Sequence, residues 1–205
     1  MIGRLHVVTD AAGGAAALAA VRAALAGGTP VVQVRTKAGS DLSRLAFARE
    51  VVLLCRAAGA LSIVNDRVDL ALAAGADGTH VGADDLPVSV VRRIAGPDHL
   101  IGGTARDPLR AAELVAAGAD YLGVGPAFAT STKDGLPDPI GPAGVGAVAA
   151  AVGVPVIAIG GVTADRVPLL RAAGAHGVAV VSAVSAAPDP AAAARALLAA
   201  LDATP

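Results

Sequence analysis

Short apolar runs rich in β-branched residues alternate along the chain with longer Ala/Leu/Arg stretches of helical period. The runs Leu5–Thr9, Val31–Arg35, Leu61–Val64, Gly78–Val81, Leu100–Thr104, Tyr121–Gly125, Val156–Ile159 and Gly177–Val181 are predicted as strands. Helices are predicted over Ala15–Ala26, Asp41–Ala58, Val68–Ala74, Val88–Ile94, Pro108–Ala117, Pro142–Ala151, Ala164–Ala173 and Asp189–Leu201. Strict alternation requires parallel strands joined by helical crossovers, and continuous apolar strands fit a sheet covered on both faces. Eight units point to closure, so the expected fold is α/β, a single (β/α)8 TIM barrel over residues 1–205. An open doubly wound sheet is the structural alternative.

A weak repeat punctuates the pattern. Ala73-Ala74-Gly75-Ala76-Asp77-Gly78, Ala116-Ala117-Gly118-Ala119-Asp120-Tyr121 and Ala172-Ala173-Gly174-Ala175-His176-Gly177 each precede an apolar strand. Each reads as a helix end with a left-handed glycine and a turn into the next strand. The repeat therefore marks the face of a barrel that serves stability.

In such barrels the chemistry lies at the C-terminal strand ends and the loops after them. The second strand ends in Gln33-Val34-Arg35-Thr36-Lys37, where alternation sets Gln33, Arg35 and Lys37 on one side. Two cations there suit phosphate oxygens. Asn65-Asp66 and Gly82-Ala83-Asp84-Asp85 follow the third and fourth strands. Carboxylates facing a phosphate site make a seat for Mg2+; the plainer alternative is that they cap the next helices. After the sixth strand, Thr130-Ser131-Thr132-Lys133 offers hydroxyls and a cation. Gly160-Gly161 and Val181-Ser182 at the last two strands would turn backbone N–H groups toward a phosphate.

Composition narrows the function classes. With 55% hydrophobic and 1% aromatic residues, the core must be packed from small aliphatics. A formal charge of -1 gives no basic field for nucleic acid or a membrane surface. The lone Cys55 excludes an internal disulfide and reads as a buried structural thiol. No signal-peptide pattern opens the chain and no apolar run is long enough to span a bilayer, so a cytoplasmic protein is expected. The four histidines form no metal cluster by spacing; His80 reads as a structural histidine near the site. Cations, hydroxyls and amides suit stabilisation of a leaving pyrophosphate better than proton abstraction.

Taken in order, Leu5-His6-Val7-Val8-Thr9-Asp10, Gln33-Val34-Arg35-Thr36-Lys37, Asn65-Asp66 and His80-Val81-Gly82-Ala83-Asp84-Asp85 resemble the thiamine-phosphate synthase family. Gly125-Pro126, Thr130-Ser131-Thr132-Lys133, Gly160-Gly161 and Val181-Ser182 continue the match to about residue 185. The resemblance implies joining of 4-amino-2-methyl-5-(diphosphooxymethyl)pyrimidine to a thiazole phosphate with loss of pyrophosphate. It implies that Gln33, Val34, Arg35, Thr36, Lys37 and Asn65 contact the pyrimidine diphosphate, with Lys133 reaching it and Thr104 beside the ring. Arg35, Lys133 and Thr104 would be the catalytic residues, and Asp66 and Asp85 the Mg2+ ligands. Thr130, Ser131 and Thr132 would meet the thiazole phosphate, closed by Gly160, Gly161, Val181 and Ser182. Thr36, Ala83 and Thr104 stand where the family often has Glu, Gln and Ser. Alternatives are a thiazole tautomerase-like relative, a phosphate-binding barrel isomerase and a non-catalytic thiazole-phosphate binder. Partners are small-molecule substrates, with no nucleic acid and no membrane; a homo-oligomer is left open.

Overall fold

The structure, a computed structural model, describes residues 2–9, 13–130, 135 and 137–203. Its strands are β1 (Leu5–Val8), β2 (Val31–Val34), β3 (Leu61–Asn65), β4 (Gly78–Val81), β5 (Leu100–Ala105), β6 (Tyr121–Val124), β7 (Val156–Ile159) and β8 (Gly177–Val180). All neighbours pair in parallel, and β8 returns to β1 to close the barrel. The helices between them are α1 (Gly14–Ala26), α2 (Asp41–Ala58), α3 (Val68–Ala74), α4 (Val88–Ala95), α5 (Pro108–Ala116), α6 (Gly141–Ala151) and α7 (Val167–Ala172). After β8 come α8 (Ser182–Ser185) and α9 (Pro190–Asp202).

Two differences from the predicted elements have local causes. A continuous helix over Ala164–Ala173 would place Pro168 in its interior, costing a backbone bond. Instead one 3-10 turn covers Ala164–Arg166, and α7 begins so that Pro168 lies in its first turn. The short α8 has too few residues to show a period.

Alternate strand residues sort into two layers. One set packs against the helices, for example Val32, Val34 and Val64 against Val51, Val52 and Cys55. The other fills the barrel: Val8, Val31, Ile63, Tyr121, Ile157 and Ala179, joined by Ile2 from the segment before β1. Cys55 is fully buried and burial pushes its thiol up to about 12, so it is an inert part of the wall.

The repeat holds the lower end together. Gly59 and Gly75 close their helices in the left-handed region, and Gly118 and Gly174 also have positive φ. The residue two beyond the glycine then bonds to a neighbouring segment. Asp77 accepts from the Ser62 N–H and hydroxyl, both at 2.7 Å. Asp120 accepts from the Ile101 N–H at 2.7 Å and from Arg92 at 2.6 Å. In the third copy, His176 Nε2 lies 3.2 Å from the Ile2 carbonyl.

Candidate active site

The upper ends of the strands enclose a cavity of about 360 Å³ that descends into the barrel as far as His6, Tyr121 and Ile157. Gln33, Arg35, Lys37, Asn65, Asp66, Asp85, Thr104, Thr130, Gly160, Gly161, Val181 and Ser182 all line it. Val34 and Thr36 do not: Val34 turns outward into the helix-facing layer, and Thr36 lines a smaller neighbouring cavity. Strand alternation requires this once Gln33 and Arg35 point inward. Ser131, Thr132 and Lys133 lie outside the described residues.

One half of the mouth is a chain of side chains. The Thr9 hydroxyl accepts from the Arg35 N–H at 2.8 Å and lies 3.0 Å from its carbonyl, fixing the end of β2. Gln33 Nε2 donates to Asn65 Oδ1 at 2.6 Å, and Asn65 Nδ2 donates to Asp66. Lys37 Nζ donates to the other Asp66 oxygen at 2.6 Å. Asp66 is the non-glycine residue with positive φ among the described residues, at 67°. Aspartate tolerates that region better than most side chains, and its N–H is held by the His80 carbonyl at 2.7 Å.

The capping alternative fails. Arg67 and Pro87 occupy the N-cap positions of α3 and α4, and neither helix has a side-chain cap bond. Asp85 Oδ2 accepts from the Gly82 N–H at 2.7 Å, and its carboxyl also meets that of Asp66. Burial and the facing Asp66 push Asp85 above the ordinary carboxyl range. For Asp66 burial pulls upward, but hydrogen bonds from Asp85 and Lys37 outweigh it and hold the group below that range. Two touching carboxyls with an ammonium on one of them fit a hard dication in place of the shared proton. Among the described residues no cluster of three His, Cys, Asp or Glu could hold a metal. A dication would therefore complete its shell with phosphate and water oxygens.

The opposite half is built from backbone. Gly160 and Gly161 turn the chain after β7 with φ of 100° and 61°. A Cβ at Gly161 would come 2.4 Å from the Ala129 carbonyl oxygen, so this turn packs directly on the loop after β6. Arg166 ties the two together: it donates to the Gly161 carbonyl at 2.6 Å, and its guanidinium stacks 4.7 Å from the Phe128 ring centroid. Val181 and Ser182 complete this side.

These features have close relatives. A family model described as thiamine monophosphate synthase matches residues 5–184. The chain belongs to the thiamine monophosphate synthase family. It is 58% identical over 203 residues to the thiamine-phosphate synthase of Salinispora arenicola, covering 98% of each chain. It is 48% identical to that of Chloroflexus aurantiacus, covering 98% of this chain and 94% of the other. A thiamine phosphate pyrophosphorylase from Pyrococcus furiosus superposes with a TM-score of 0.90 at 35% identity, covering 98% and 96% of the two chains.

The floor of this family member's cavity holds side chains that the sequence reading did not assign to the site. His6 and His80 flank Tyr121, with ring centroids 5.4 and 5.5 Å from it. Desolvation holds His6 at about 3 and His80 at about 4, so both rings are neutral. The available signal was the single tyrosine of the chain, inward by alternation and accompanied by Gly102 and Gly123 on β5 and β6.

Proposed function

We propose that this chain is a thiamine-phosphate synthase that displaces pyrophosphate from an aminopyrimidine diphosphate by a thiazole phosphate, with Mg2+ held by Asp66 and Asp85. The observation that carries the reading is one cavity with two differently built halves, one of side chains and one of backbone turns. Gln33, Arg35, Lys37, Asn65 and the two aspartates line one half, and the Gly160-Gly161 turn after β7 with Val181 and Ser182 after β8 line the other. Each half suits one phosphorylated substrate, and the cavity between them brings the two heterocycles together.

Arg35 holds charge on the departing pyrophosphate, a task assigned also to Lys133. When bound, Mg2+ supplies further positive charge to the same oxygens. Thr104, at the cavity wall, orients the pyrimidine. The thiazole phosphate binds to N–H groups of Gly160, Gly161, Val181 and Ser182, and the family resemblance assigns Thr130, Ser131 and Thr132 to the same phosphate. The attacking thiazole nitrogen carries no proton, so no general base is required; the neutral His6 and His80 agree with that chemistry. Val34 and Thr36, which do not line the cavity, are left out of the substrate contacts. No helix among the described residues is long and apolar enough to cross a membrane. The same reading places the chain in the cytoplasm, acting on small molecules and not on nucleic acid.

The test is pyrophosphate release with both substrates, with and without Mg2+. Release that requires both substrates and the metal, with thiamine phosphate as product, is expected. Binding of thiazole phosphate without release would move the assignment to a tautomerase-like relative or a non-catalytic binder.

A further inference from the structure

Tyr121 is 1% exposed, and its hydroxyl meets one partner among the described residues, His80 Nδ1 at 3.1 Å. The other nitrogen of that ring, Nε2, lies 3.0 Å from Thr104 Oγ1, and the Thr104 hydroxyl makes no further hydrogen bond among the described residues. The strands are shaped around this row. A Cβ at Gly102 would lie 2.2 Å from Tyr121 Cζ and 2.4 Å from His80 Nδ1; at Gly123 it would lie 2.9 Å from His80 Cε1.

A neutral imidazole has one donor and one acceptor, so the row has a direction. If Nδ1 carried the proton, it would donate to the phenol, and the buried phenol hydrogen would have no acceptor, a costly arrangement. The phenol therefore donates to Nδ1, Nε2–H donates to Thr104 Oγ1, and the threonine hydrogen is left to point into the cavity. The β-branch of Thr104 restricts χ1 and helps keep Oγ1 on the imidazole.

We propose that Tyr121 and His80 are positioning residues that set Thr104 as a hydrogen-bond donor to a ring-nitrogen lone pair of the pyrimidine substrate. This rests on the synthase reading above. Thr104 touches the substrate; the other two act through it. An analogue with C–H in place of that nitrogen loses the contact.

Two readouts test the inference. In ¹⁵N NMR of the full chain, His80 should be protonated at Nε2 and bare at Nδ1. In steady-state kinetics, Tyr121→Phe should raise KM for the pyrimidine diphosphate roughly 5- to 10-fold, with KM for thiazole phosphate unchanged. Thr104→Val should do the same, the double variant should be no worse than Thr104→Val alone, and Thr104→Ser should retain wild-type KM. An Nδ1-protonated ring, or additive effects in the double variant, overturns the positioning inference in an active enzyme. Absence of pyrophosphate release from the wild type overturns the synthase reading instead, and the pyrimidine assignment with it.

Discussion

At the lower end of the barrel Asp77 and Asp120 accept from strand N–H groups and from a hydroxyl or a guanidinium. At the upper end Asp66 and Asp85 meet each other, with Lys37 on one of them. Burial does not explain the difference in a simple way: the Asp66 side chain is 20% exposed and that of Asp120 40%. What differs is the sign of the company. Donors surround each lower carboxylate, so it stabilises the fold as it stands. The upper pair sets like groups together, with Asp66 on a backbone in the left-handed region; Lys37 offsets the charge of Asp66, and Asp85 is pushed above its ordinary range until a second cation joins.

The sharpest way to break this comparison is Asp66→Asn. The amide keeps the shape and tolerates positive φ, so the melting temperature should stay within about 3 °C. Mg2+-dependent pyrophosphate release should fall by roughly 10³-fold. Wild-type activity in this variant would remove Asp66 from the metal site and leave the upper pair without a role.

Gly161→Ala tests the backbone half separately. The new methyl would meet the Ala129 carbonyl at 2.4 Å on a backbone with φ of 61°. The turn must shift, and KM for thiazole phosphate should rise about tenfold while that for the pyrimidine diphosphate stays within about threefold. Equal loss for both substrates would mean that the two halves of the mouth do not divide the substrates.

The comparison also explains what could be read from the chain. All eight strands were legible from their strict alternation with helical segments, most of them as apolar runs covered on both faces, and their limits fell within one residue. The lower face was legible because left-handed glycine closes a helix by purely local physics. At the upper face, residue types at strand ends identified Arg35, Asp66, Asp85 and the Gly160-Gly161 turn. Their partners depend on three-dimensional spacing: neither the Asp66–Asp85 contact nor the Lys37–Asp66 pair has a local signature. The Tyr121–His80–Thr104 row spans three strands and is invisible to any pattern within one of them.

Between the two faces, the buried floor gives a pH dependence. His6 falls from an ordinary 6.5 to about 3, so between those values the unfolded chain binds a proton that the folded chain does not. Stability is therefore full above pH 6.5 and falls as pH drops toward 3, by about 2 kcal/mol at pH 5 from this group. His80 has the same sign over 6.5 to about 4. In urea titrations at pH 7 and 5, His6→Gln should flatten this loss by about the His6 share. An unchanged slope would mean that His6 is not neutral in the folded barrel.

The smallest effect expected is at the lower face, and it completes the contrast with Asp66. Asp120→Asn keeps an oxygen for the two bonds that Asp120 Oδ2 accepts, from the Ile101 N–H and from Arg92, and removes the charge that faces Arg92. Because the site is partly open to water, the loss should be about 1 kcal/mol, a fall of roughly 2–4 °C in melting temperature. Turnover at 25 °C should stay within about twofold, since Asp120 itself does not line the cavity. The same isosteric change thus separates the two ends by activity, a loss of roughly 10³-fold at Asp66 against about twofold at most at Asp120. If Asp120→Asn lowered turnover as much as it lowered stability, the division of the barrel into a structural end and a chemical end would fail. The two faces would then be coupled through β5 and β6, whose lower ends flank Asp120 and whose inner faces carry Thr104 and Tyr121.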